Sequence, residues 1–278
     1  MMRSNTQYFG VRYLAGCTSC WAGVLVLSVA LVATAQQPTE PSPTPNPGRP
    51  SVSTPATITP VGYFQFETGF LGAYNSPDLS SQTSIIEAVK FSVTQRLELL
   101  AAAQPYAHSH AEDQWTNEPG GVSLGIQGIV YQGNAAKPTI AIGYFHQIYG
   151  GNAPDLDVGS PTNVLLLLAS ADVKGFHYDT NLFFNEVVQN PIRRAQFGQS
   201  LSISHPLGKK FGATGEVWHF SQPFGQSNAI GSLWALGYNA KKFLVLDGGF
   251  NRGLTSTSTK WEVFAGFTYL LPHKIGPR

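Results

Sequence analysis

Three groups of residues in this chain have the types and spacing for chemistry. The densest is His108-Ser109-His110-Ala111-Glu112-Asp113. Two imidazoles and two carboxylates are suitable ligands for a transition metal. They fall between two strand-like runs with no second ligand group at helical spacing, so the reading is a solvated loop, and no metal or cofactor is expected. The second group is Ser202 with Ser204-His205, a pairing that a lipid-acting hydrolase could use as nucleophile and base. No orienting Asn or Asp stands beside it, and no catalytic residue is assigned. The third is Cys17-Thr18-Ser19-Cys20, a redox spacing that lacks the βαβ surroundings such a motif needs.

A further set makes sense only once the elements that carry it are placed. Glu67, Glu98, Asp179, Glu216 and Asp247 recur through the chain, each a few residues after a short turn. Charged residues make up 12% of the sequence, half of the roughly 25% usual in soluble domains. Hydrophobic residues reach 42%, with 29 Gly, 11 Tyr and 17 Phe. That balance suits a sheet whose two faces meet different solvents. The net charge of +1 and scattered bases exclude a nucleic-acid surface.

Residues 1–35 read as a cleaved signal peptide. Arg3 and Arg12 supply a positive start, Trp21 to Val32 is an apolar run too short to span a bilayer, and Ala33-Thr34-Ala35 is a small-residue cleavage site. Leu14-Ala15-Gly16-Cys17 resembles a lipoprotein box but precedes the apolar run instead of following it. Both cysteines would leave with the signal. Residues 36–60 are proline-dense, which favours an extended, solvated chain, and read as a disordered or semi-rigid periplasmic linker.

From 61 to 278 the texture is short alternating runs broken by turn residues. Twelve strands are expected near 62–73, 83–93, 97–106, 122–132, 138–148, 163–173, 176–187, 195–205, 211–220, 228–239, 243–251 and 260–271. Each has about the 9–11 residues a tilted transmembrane strand needs. Short connections alternate with long ones such as 107–121 and 149–162. This is the asymmetry of an all-β, up-and-down antiparallel transmembrane barrel, with both termini at the short-turn, periplasmic rim of the bacterial outer membrane. In the last strand Trp261, Val263, Phe267, Tyr269 and Leu271 should face lipid. Within 163–173 the alternation fails, because Val164 to Leu168 is apolar on both faces.

On such a barrel the five acids fall on the lumen side, together with Lys90 and Lys260, about 5–15 Å above the lower rim at roughly 3.3 Å per residue. They would form a carboxylate ring that sets cation preference, or they would pair with Lys90, Lys260 or Arg96 and brace the wall.

Several runs resemble the outer-membrane barrels named for a meta-pathway of phenol degradation. The resemblance covers about Arg49 to Leu271. It is carried by Phe64-Gln65-Phe66-Glu67-Thr68-Gly69, by the hairpin Lys90 to Leu99, by Gly121-Val122-Ser123-Leu124-Gly125 and by Trp261 to Leu270. Family members usually have Gly where Ser92 stands and Asp where Gln95 stands. The resemblance implies a transporter. The closing pattern Phe264-x-Gly266-x-x-Tyr269-x-Leu271 is similar to the signal read by the barrel-assembly machinery, followed here by 272–278. The expected function is an outer-membrane channel for small molecules, hydrophobic or aromatic ones among them, with lipid and solute as partners. The alternatives are a closed structural or adhesive barrel and a lipid-acting barrel enzyme.

Overall fold

The computed structural model describes residues 43–134, 137–157, 161–189, 191–225 and 227–275. The expected signal peptide at 1–35, with both cysteines, and residues 36–42 of the expected linker lie outside the described residues.

Thirteen strands form: β1 Phe64–Tyr74, β2 Ser81–Thr94, β3 Leu97–Ala111, β4 Gln114–Glu118, β5 Val122–Tyr131, β6 Thr139–Tyr149, β7 Asn163–Val173, β8 Phe176–Gln189, β9 Ile192–Leu207, β10 Phe211–Phe220, β11 Ala229–Lys241, β12 Leu244–Gly253 and β13 Trp261–Leu270. Apart from β4 and β5, which both pair with β3, sequence neighbours pair antiparallel all the way round. The sheet closes through β1 and β13, from Gln65 opposite Leu270 to Tyr74 opposite Trp261. Closure satisfies every edge, which a sheet in lipid requires.

The wall has twelve positions because β4 and β5 share one. β4 pairs with the far end of β3 and β5 with its near end. Between them Pro119 to Gly121 breaks the line, and the break is bridged by Gly120 N–H to Gln104 O and Gln104 N–H to Gly121 O. The expected long loop at 107–121 is therefore mostly strand. β3 continues to Ala111 and turns through Glu112 and Asp113, whose φ values of 46° and 62° suit a two-residue hairpin. His108 and His110 stack on Trp115 from β4, at 4.6 and 4.3 Å between ring centroids. The two imidazoles pack on the hairpin's Trp115.

Side chains alternate between two environments. On β13, Trp261, Val263 and Phe267 are exposed on the outer wall and Tyr269 is half-exposed beside them, whereas Thr268 and Leu270 are buried. Leu271 lies just past the strand and is half-buried. The inner wall is polar, with Gln65, Glu67, Glu98, Gln127, Asn181, Ser200 and Glu216 all buried.

Residues 43–60 differ from the expected solvated linker. They lie inside the barrel, against this polar wall. Proline suits the role, since an extended chain with few donors leaves fewer backbone groups to satisfy away from bulk water.

Candidate functional site: the lumenal collar

The inserted segment meets the wall strand by strand. Asn46 exchanges two hydrogen bonds with the Gln65 side chain of β1, both at 2.7 Å. Gly48 N–H donates to Glu67 at 3.0 Å. Arg49 reaches Asp247 on β12 at 3.2 Å. The N–H groups of Val52 and Ser53 donate to the two oxygens of Glu216 on β10 at 2.8 and 2.6 Å, and Ser53 Oγ adds a third bond. Thr54 makes a two-point contact with Asn181 on β8, at 2.6 and 2.9 Å.

The path continues round the wall. Ala56 N–H donates to Ser170 Oγ on β7 at 2.7 Å. Gln127 on β5 donates to Pro55 O at 3.0 Å. Thr59 donates through N–H and Oγ1 to Glu98 on β3, at 2.8 and 2.6 Å. Val61 then bridges to Ser92 on β2 before β1 begins. The order β1, β12, β10, β8, β7, β5, β3, β2 is one complete circuit. Residues 46–59 form a collar wound once inside the barrel.

The five recurring acids are where the collar docks. Glu67, Glu98, Glu216 and Asp247 bind it directly. Asp179 binds it at one remove, accepting from Ser170 Oγ at 2.5 Å while Ser170 accepts from Ala56. The common level of the carboxylates follows from the level of the ring they hold. Lys90 pairs with Glu67 at 2.6 Å, whereas Lys260 Nζ donates to Thr255 O in the opposite rim's loops, and Arg96 is exposed in a turn.

Packing fits the collar as well. Ala56 and Ile58 pack with Ile129, Ala141, Leu166 and Leu168. This accounts for the broken alternation in β7, whose inward leucines have an apolar partner within a polar lumen. Val52 packs against Trp218 and Phe220. Gly69 and Gly266 leave a slot for Arg49: a Cβ on either would come within 1.9 and 2.7 Å of its guanidinium nitrogens. No sequence signal pointed to the collar itself. The one available clue was the pair of inward leucines with no lipid to face.

A second closure stands at the long-loop rim. The β6–β7 loop reaches across the mouth, where Asp157 accepts from Thr259 N–H and Oγ1 at 2.5 Å each. Gln222 donates to Asp157 O at 2.5 Å, and Gln82 donates to Pro154 O at 2.9 Å. Burial pushes the Asp157 carboxyl above its ordinary range, an effect partly offset by the Thr259 donors. Beside this loop lies a cavity of about 600 Å³ bordered by Asp155, Gln196 and Gln222. A smaller one of about 330 Å³, bordered by Pro47, Arg49 and Asp247, lies below the collar at the short-turn end.

The Ser–His candidates do not come together. Ser202 is buried on the inner wall, while His205 stacks on Phe176 and its Nδ1–H donates to Gly175 O, 2.9 Å away. Ser204 and His205, adjacent on β9, point to opposite faces.

No family model and no curated protein matches the sequence. Solved structures do resemble it in fold. An outer membrane channel from Pseudomonas putida F1 aligns with a TM-score of 0.57 at 13% identity, covering 81% of this chain and 99% of the other. The NanC porin aligns at 0.53 with 9% identity, covering 73% and 100%. The KdgM porin aligns at 0.50 with 12% identity, covering 74% and 98%. The fold is that of outer-membrane barrels.

Proposed function

We propose that this chain is an outer-membrane channel for small molecules, with both termini periplasmic and its aperture set by the collar. The observation that carries this reading is that the collar lines the wall. Residues 46–59 bend at 50, 52–53 and 56–57, and the Asn46 side chain donates to Thr57 O at 2.9 Å, so the segment closes on itself as a ring against the wall. Its Val52, Thr54, Thr57 and Ile58 remain part-exposed, and cavities lie on both sides of it. The likeness to a channel and to porins supports the reading. The motif resemblance to the phenol-pathway barrels favours hydrophobic or aromatic solutes. The closing strand's pattern supports delivery by the barrel-assembly machinery.

Of the five docking acids, Glu67 pairs with Lys90, Asp247 with Arg49 and Asp179 with His177, which leaves Glu98 and Glu216 as the acids that favour cations. Planar-bilayer conductance of the full chain tests the function. The parent should show small, cation-preferring openings. Glu216→Ala, which removes three collar bonds, should raise unitary conductance several-fold. Absence of openings in both proteins would establish the closed structural barrel instead.

A further inference from the structure

The barrel's two rims differ sharply in charge. Seven of the chain's nine lysines sit at the short-turn rim. The hairpin turns carry Lys137, Lys174, Lys209 with Lys210, and Lys241 with Lys242, and Lys274 follows the last strand; all are exposed. Arg96 occupies a further turn. Among the described residues the acid at this rim is Asp172, already hydrogen-bonded to His177 at 2.8 Å. The long-loop rim has the opposite balance, with Asp78, Glu112, Asp113, Glu118, Asp155 and Asp157 against Arg193, Arg194, Arg252 and Lys260.

Aromatic rings mark the depth of the basic rim. Phe64 and Phe91 stack at 4.6 Å, and Phe211 lies 4.8 Å from Tyr238. Lys210 Nζ lies 5.9 Å from the Tyr238 ring centroid and Lys242 Nζ 5.0 Å from that of Phe243. Aromatic side chains favour the boundary between hydrocarbon and headgroups. Lysines one or two residues beyond that belt stand at phosphate level, on flexible stems that let the charge reach outward.

We infer that the short-turn rim is a binding surface for anionic phospholipid headgroups of the leaflet it faces. The chemistry is many exposed ammonium groups, spaced around a ring, meeting phosphodiesters at the same depth. No fixed pocket is needed, because each lysine acts as a point charge near an anionic surface. The rim would gather an annulus of acidic lipid, and the acidic opposite rim would not. This surface is independent of whether the lumen conducts.

The test uses the full chain in bilayer nanodiscs of phosphatidylcholine with 30% phosphatidylglycerol, reading the enrichment of spin-labelled phosphatidylglycerol at the protein boundary. The parent should enrich it about threefold at 0.1 M salt, and the enrichment should vanish at 1 M, where the Debye length falls to about 3 Å. The variant K174Q, K209Q, K210Q, K241Q, K242Q should show no enrichment. R193Q, R194Q at the other rim should match the parent. The pairs K209Q, K210Q and K241Q, K242Q, each altering one exposed turn, should give intermediate values and serve if the fivefold variant fails to fold. A parent without enrichment, or lysine variants that retain it, would overturn the inference. Soluble polyphosphate competing fully at equal charge would also overturn it, by making the rim a site for soluble polyanions.

Discussion

Along β13, Glu262, Phe264, Gly266 and Thr268 turn inward while Trp261, Val263, Phe267 and Tyr269 turn outward, and the two rows obey different rules. The outer row needs only to be apolar, because lipid adapts to whatever shape it meets. The inner row serves particular partners: Gly266 leaves room for Arg49 and Glu262 accepts from Asn251 Nδ2–H at 2.8 Å, while inward residues of other strands accept from the collar's backbone donors. The outer wall therefore tolerates exchange among apolar side chains, and the inner wall does not. What the contrast teaches is that one strand can specify a solvent on one face and a particular partner on the other.

Charge placed on the lipid face should break the contrast most severely. Phe267→Arg sets a cation near mid-membrane at a cost of roughly 2–4 kcal/mol. Heat-modifiable gel mobility should show a marked loss of folded protein; assembly equal to the parent would shift the register by one residue. On the inner wall, Glu216→Ala strands the N–H groups of Val52 and Ser53 without an acceptor. A buried donor left unsatisfied costs about 1–3 kcal/mol, so the denaturant midpoint in micelles should fall.

A smaller effect, of opposite sign, is expected at Glu87. This carboxylate is exposed on the outer wall opposite Thr68, at mid-height. Acidic residues on a lipid face cost less than basic ones. Glu87→Leu should therefore stabilise the barrel by about 1 kcal/mol, read from the same denaturation curves. The smallest effect belongs to the exposed Arg193–Glu186 pair, at 2.8 Å. Arg193→Gln should leave the melting temperature unchanged, since solvent screens such a pair. The Arg49–Asp247 pair inside the lumen, 3.2 Å apart, is mostly withdrawn from solvent and is screened less.

The strand positions, the short and long connections and the outward row of the closing strand were legible in the sequence, because period-two alternation and turn residues are local properties. So was the recurrence of the acids at one level. Their partners were not. Hydrogen bonds between residues 46–59 and Glu67, Glu98, Glu216 or Asp247 span separations of up to 198 positions, and no local pattern encodes such a pairing. Proline density says that a segment lacks regular structure but leaves its surroundings open: such a segment can be solvated by water or by a polar wall. Only closure of the barrel decided the matter, by creating an interior lined with acceptors that the collar's backbone donors could satisfy. The hairpin at His108 to Trp115 was missed for a related reason. Its turn residues, Glu112 and Asp113, resemble a loop or a ligand group in sequence, and strand pairing across β3 and β4 is what turned them into a bend.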